Sequence, residues 1–200
     1  MNKKTKKLVS IGVFCAFAFV LTNIGNLIPK FEGFLSFDPK DLAIVISGFA
    51  LGPLATVAVS LVVSFIEMIT ISQTGIIGFF MNVLSSISFA LIPAIVYKKR
   101  RTFKSAIISL LISSALTIIV MLLWNYLITP IYMKVPREAV AAMLIPVFLP
   151  FNAIKCAVNT ALVAICYKPI VTALRQLNIL PHSKKKTAED AIKEKTNQGK

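Results

Sequence analysis

The sequence predicts an all-α, polytopic integral membrane protein with six transmembrane helices, the second of them short, and both termini cytoplasmic. Three observations predict it. Residues 8–28, 42–66, 68–97, 105–133 and 139–154 contain no Asp, Glu, Lys or Arg, whereas a span needs only about 20 apolar residues. The chain is 56% hydrophobic, which leaves too little polar surface for a water-soluble globule. Its basic residues gather in short loops and tails between the apolar stretches, above all in Lys98-Lys99-Arg100-Arg101. A membrane barrel would show strands of about ten residues with alternating polarity instead.

The first stretch follows Lys3, Lys4, Lys6 and Lys7. It is longer than a signal-peptide core and lacks a small-x-small cleavage pattern, so a retained first helix over 8–28 is expected. Residues 29–41, rich in Phe, Pro and acid, are expected to form an outer loop. The segment 42–71 is too long for one span, at about 45 Å as a continuous helix, and short for two. Pro53 removes a backbone donor and disfavours helix at Gly52, so a turn at Gly52-Pro53 would divide it into 42–51 and 53–71.

Basic residues decide between the two counts. With one crossing over 42–71, Lys98–Arg101 and the tail lysines fall on the side opposite to the N-terminus. With a reversal, all three basic clusters share one side, and the other holds only Lys30, Lys40, Lys134 and Arg137. That imbalance is the one the positive-inside rule expects. The remaining helices are expected over 76–97, 105–128 and 151–173, with 129–150 a long outer connection punctuated by Pro130, Pro136, Pro146 and Pro150. The domain organisation is then a cytoplasmic N-terminus over 1–7, a membrane domain over 8–175 and a polar cytoplasmic tail over 176–200.

Several function classes are excluded. A net charge of +14 would point to nucleic acid in a soluble chain, but here the positive residues mark topology, and no nucleic-acid partner is expected. Cys15, Cys156 and Cys166 lie in apolar stretches without paired spacing, so neither a disulfide framework nor a zinc site is indicated. The single histidine, His182, lies in the tail. No phosphate loop, nucleophile elbow or zinc-protease motif occurs, and the chain is expected not to be an enzyme.

Ionisable residues within apolar stretches are costly in a membrane and are candidates for function. Glu67 and Lys155 are two of them. Glu67 lies within a turn of the outer end of its helix, where it either reaches water or contributes to binding. Asn152, Lys155 and Asn159 share one helical face, which either holds helices together through hydrogen bonds or lines a polar cavity. Lys155 has no obvious carboxylate partner except Glu67, so an acceptor on a ligand is an attractive mate. Asn125, within Trp124-Asn125-Tyr126, belongs either to an interfacial aromatic belt or to an aromatic-walled pocket facing outward together with Asn152. Asn82 and Gln73 are weaker polar candidates on the same side. Gly12 and Ala16 form a small-xxx-small pair on the first helix that permits close helix approach.

Three segments together carry a family resemblance. They are Phe34-Leu35-Ser36-Phe37-Asp38-Pro39-Lys40-Asp41 leading into Gly48-Phe49-Ala50-Leu51-Gly52-Pro53, Asn125-Tyr126 followed by Pro130-Ile131-Tyr132, and Pro150-Phe151-Asn152-Ala153-Ile154-Lys155. In them the chain resembles the riboflavin-specific substrate-binding (S) components of energy-coupling factor (ECF) transporters, over about residues 8–175. The resemblance implies a six-helix subunit of the cell membrane that captures riboflavin from outside. It would work with a transmembrane coupling protein and two ATPase subunits, which use the ATP, and would need no cofactor of its own. It also implies that Asn125, Asn152 and Lys155 contact the flavin, with backbone contacts at the Gln73-Thr74-Gly75 turn, and that Gly12 and Ala16 stand where the family carries alanines at its coupling face. A flat, largely apolar ring with carbonyls along one edge suits apolar walls with a few amide and ammonium donors. Another vitamin or a flavin nucleotide is the second reading. A non-transporting structural subunit of a membrane complex is the third.

Overall fold

A computed structural model describes residues 2–27, 37–72 and 74–176. The expectations for residues 29–36, Gln73 and the tail beyond 176 therefore fall outside the described residues. Among the described residues seven α-helices follow one another: α1 (Lys3–Asn26), α2 (Lys40–Leu51), α3 (Pro53–Thr70), α4 (Gly75–Lys99), α5 (Phe103–Met133), α6 (Arg137–Met143) and α7 (Leu149–Gln176). A π-helical turn, Leu144–Phe148, joins α6 to α7 without a break. Among the described residues, five helical segments are long and apolar enough to cross a membrane, and α2, at 12 residues, is the short one the sequence anticipates.

α2 is the centre of the bundle. It packs against α1, α3, α4 and α7, and every residue from Lys40 to Phe49 is buried. A helix apolar on all sides, Leu42-Ala43-Ile44-Val45-Ile46, needs such enclosure. Its neighbours instead turn Leu, Ile, Val and Phe side chains outward, among them Val13, Leu61, Ile95 and Ile165, as lipid-facing surfaces do.

The turn at Gly52 occurs where Gly-Pro predicts it. Gly52 has φ +93° and ψ 175°, a backbone conformation that side-chain-bearing residues rarely adopt, and Pro53 opens α3, where its missing N–H costs nothing. The two helices then run antiparallel in close contact. A Cβ on Gly48 would collide with Thr56 Oγ1 and Ala94 Cβ, so α2, α3 and α4 meet at a point where only hydrogen fits.

Between α5 and α7 the structure corrects the sequence. Residues 129–150 are helical for most of their length rather than an irregular connection. Pro130 sits inside the last turn of α5, which ends where left-handed Lys134 (φ 54°) sends its N–H to the Pro130 carbonyl. Pro136 is the N-cap of α6, Pro146 lies in the π turn and Pro150 in the first turn of α7. Proline breaks helices in soluble proteins, but within a membrane bundle a widened turn absorbs it. The first helix likewise begins earlier than expected, at Lys3.

At the end of the bundle that carries Lys98–Arg101, the C-terminal ends of α2 and α4 meet α7 through aromatic rings. Phe49 lies 4.2 Å from Tyr97 between ring centroids, and the Tyr97 and Tyr167 hydroxyls are 2.9 Å apart. Phe103, at the start of α5, closes the cluster against Tyr167 at 5.2 Å.

Candidate substrate site at the opposite end of the bundle

The other end of the bundle is polar inside, and the start of α2 makes it so. Lys40 and Asp41 were expected in an exposed outer loop; they are instead 1% and 2% exposed. Asn82 and Ser86, two and three turns into α4, reach Glu67 and Asp41, so the start of α2 lies well below the start of α4. Burying charges at that depth is tolerable only with partners, and each has them.

Lys40 is held on two sides. Its ammonium lies 2.6 Å from Asp38 Oδ2 and pairs with Glu67 Oε2 on α3. Glu67 is in turn saturated: Thr22 of α1 donates its hydroxyl to Oε1 at 2.7 Å, and Asn82 of α4 donates its amide to Oε2 at 3.0 Å. Of the two readings of Glu67, reaching water at the outer helix end or contributing to binding, the first does not hold: it is 2% exposed and joins four helices. The lone carboxylate on α3 is thus a junction of the bundle.

Lys155 supplies the second cation. Its nearest carboxylate is Asp41, with Oδ2 at 3.9 Å, rather than Glu67 as the sequence suggested, and its ammonium donates to Ser85 Oγ at 3.4 Å. Asp41 is fixed by a 2.6 Å hydrogen bond from the Ser86 hydroxyl. One α-helical turn beyond Lys155, Asn159 donates its amide to the Asp38 carbonyl at 3.4 Å, while its own Oδ1 is buried without a partner. The shared face of α7 predicted from spacing therefore points into the bundle, at the charged start of α2.

The other candidates occupy the same end with different roles. Asn152 is 3% exposed and donates to the Phe148 carbonyl at 2.8 Å, the last carbonyl of the π turn. Asn125 is 4% exposed; it donates to the Met121 carbonyl at 2.7 Å and accepts the Thr129 hydroxyl at 2.9 Å. Both amides are thus held by their own helices. Gly75 is exposed at the start of α4, with φ +56°. Tyr126 and Tyr132 are partly exposed as a membrane-interface belt would be, and Arg137 stacks over the Tyr126 ring at 5.6 Å. Gly12 and Ala16 lie far along α1, exposed and facing outward, with open space around Gly12.

Asp38, Lys40, Asp41, Ser85, Ser86 and Thr22 were not singled out from the sequence. One signal was present: of the eight acidic residues in the chain, Asp38, Asp41 and Glu67 meet in this one cluster. The cluster can present ammonium and amide donors to carbonyl or hydroxyl acceptors, with no group placed as a nucleophile or general base.

A sequence profile described as ECF transporter, substrate-specific component, matches residues 6–167. The chain belongs to this family of ECF substrate-specific components. It is 30% identical over 181 residues to the riboflavin transporter RibU of Staphylococcus aureus (strain TCH60), covering 88% of this chain and 95% of the relative. It is 31% identical over 188 residues to the riboflavin transporter FmnP of Bacillus subtilis (strain 168), covering 88% and 99%. A solved structure of the S component of a bacterial ECF transporter superimposes with a TM-score of 0.73 at 30% identity, covering 86% of this chain and 99% of that one. This substrate-specific component is accordingly a multi-pass membrane transport protein and not an enzyme.

Proposed function

We propose that this S component captures riboflavin at the end of the bundle where α2 begins and delivers it to an ECF transporter of the cell membrane. Two relatives that span nearly all of the chain are named riboflavin transporters, and this observation carries the reading. The buried donors at that end support it. The flavin ring is flat and apolar, with carbonyls along its pyrimidine edge; Asn125, Asn152 and Lys155 are the donors assigned to that edge, and Asn82 and the Gly75 backbone approach from α4. Glu67 acts in this reading by holding Asn82 and Lys40, since both of its oxygens are taken.

The basic clusters orient the protein with both termini in the cytoplasm and the charged start of α2 facing outward, where a vitamin arrives. Six membrane helices result, with α2 as the partial one. A transmembrane coupling protein and two ATPases supply the energy, and Gly12 and Ala16 offer the coupling protein a face of α1 that allows close approach.

Purified protein tests the reading directly. Copurified flavin would colour it yellow, and riboflavin titration should show saturable binding that is lost when Asn152→Ala and Lys155→Ala are combined. Unchanged affinity in the double variant would refute the site. Accumulation of flavin against a gradient by the isolated chain in liposomes would refute the dependence on ATPases.

A further inference from the structure

The two ammonium groups of the cluster, Lys40 buried and Lys155 half-buried, are held in unlike ways. Lys40 is clamped between Asp38 at 2.6 Å and Glu67. Lys155 has only long contacts, 3.9 Å to Asp41 and 3.4 Å to Ser85, beyond the distances of strong charge-assisted bonds. Its donors are therefore available to a closer acceptor. Asp41 is the reverse: 2% exposed and bonded at 2.6 Å to Ser86, it is fixed in place beside a loosely held cation.

The charges of the cluster do not cancel. Asp38, Asp41 and Glu67 face Lys40 and Lys155, three carboxylates against two ammonium groups, so the ionised cluster carries one net negative charge. Without Asp41, Lys155 would be a lone cation and would attract anions. With Asp41 beside it, the ammonium serves as a hydrogen-bond donor in a site that repels them.

We infer that Asp41 is a specificity-determining positioning residue, which neutralises and aims Lys155 so that the site favours an uncharged flavin over a phosphorylated one. The inference rests on the flavin reading above. At an effective dielectric of about 20, a unit charge about 10 Å from a ligand charge alters binding by about tenfold, so Asp41 need not touch the phosphate to act on it.

The test compares dissociation constants for riboflavin and riboflavin 5′-phosphate. Asp41→Asn should shift the preference toward the phosphate by about tenfold, whereas Asp41→Glu, which keeps the charge, should retain the wild-type ratio. A merely structural role for Asp41 would weaken both ligands alike and leave the ratio unmoved. Should Asp41→Asn not fold, Lys155→Met, which leaves Asp41 bonded to Ser86, is compared with Lys155→Met plus Asp41→Asn, which leaves neither half of the pair. Adding Asp41→Asn must again move the ratio toward the phosphate by about tenfold. Riboflavin binding with an unmoved ratio overturns the inference alone; absence of riboflavin binding by the wild-type protein overturns the flavin reading and the inference with it.

Discussion

Lys40 and Glu67 form an ion pair inside the bundle, with side chains 1% and 3% exposed. The pair ties the start of α2 to α3, and through Thr22 and Asn82 to α1 and α4. A short helix with charged residues at its start is thereby held within an apolar bundle, and the polar end where the substrate is proposed to bind is built around it.

Removing one member of this pair should therefore be far worse than removing both. Lys40→Ala leaves Glu67 as an uncompensated buried charge, a change that costs about 3–5 kcal/mol in buried pairs. Lys40→Met combined with Glu67→Gln should recover the part of that loss owed to Glu67, while Asp38 stays without its ammonium in both variants. Thermal unfolding in detergent checks it: equal melting temperatures for Lys40→Ala and the double variant would show that the pair is not the holding element.

Asn152 is predicted to matter in two ways that can be separated. Its amide gives one hydrogen to the Phe148 carbonyl of the π turn, and its second hydrogen remains for a ligand carbonyl. Asn152→Ala should lower riboflavin affinity by about tenfold or more, the scale of one lost hydrogen bond with a buried partner left unpaired, while lowering stability by about 1 kcal/mol. Asn152→Asp keeps an oxygen and loses the amide donor. Should both variants bind riboflavin as the wild type does, Asn152 serves α7 alone.

How much of this was legible beforehand differs from one residue to the next. The reversal at Gly52-Pro53 could be read because two local signals, the Gly-Pro step and the placement of Lys98–Arg101, agreed on it. The inward face of Asn152, Lys155 and Asn159 could be read because helical spacing is local too. Lys40 and Asp41 could not, since charged residues beside a proline look like a solvated loop, and their partners lie far away in sequence: Glu67 is 27 residues from Lys40. Asp41 as the neighbour of Lys155 was missed for the same reason. Charge pairing in a membrane bundle is decided by which helices neighbour α2, and a single sequence does not state that. Pro130, Pro146 and Pro150 misled in the other direction, because the rule that proline ends a helix weakens where no water competes for the backbone.

The orientation of the chain is open to a direct check. In a background with Cys15, Cys156 and Cys166 replaced, a cysteine at position 100 should react with a membrane-impermeant thiol reagent only after the cytoplasmic side is opened, and one at position 134 should react in intact cells. The reverse pattern would invert the protein and move the charged start of α2 to the wrong side for uptake.

Gly48 and Gly52 test two different constraints on the same hairpin. At Gly48 the backbone is ordinary helix, but an added Cβ meets Thr56 and Ala94, so the cost of Gly48→Ala is overpacking, about 1–3 kcal/mol. At Gly52 nothing lies within 4 Å of an added Cβ, but φ is +93°, so the cost of Gly52→Ala is backbone strain, about 1–3 kcal/mol. The two should respond differently to a second change. Thr56→Ala removes the hydroxyl that stands against Gly48 and should recover part of the loss in Gly48→Ala, while leaving Gly52→Ala as unstable as before. Melting temperatures of the four proteins in detergent decide it: rescue of Gly52→Ala, or none of Gly48→Ala, would mean that the close approach of α2 to α3 is not what requires glycine at position 48.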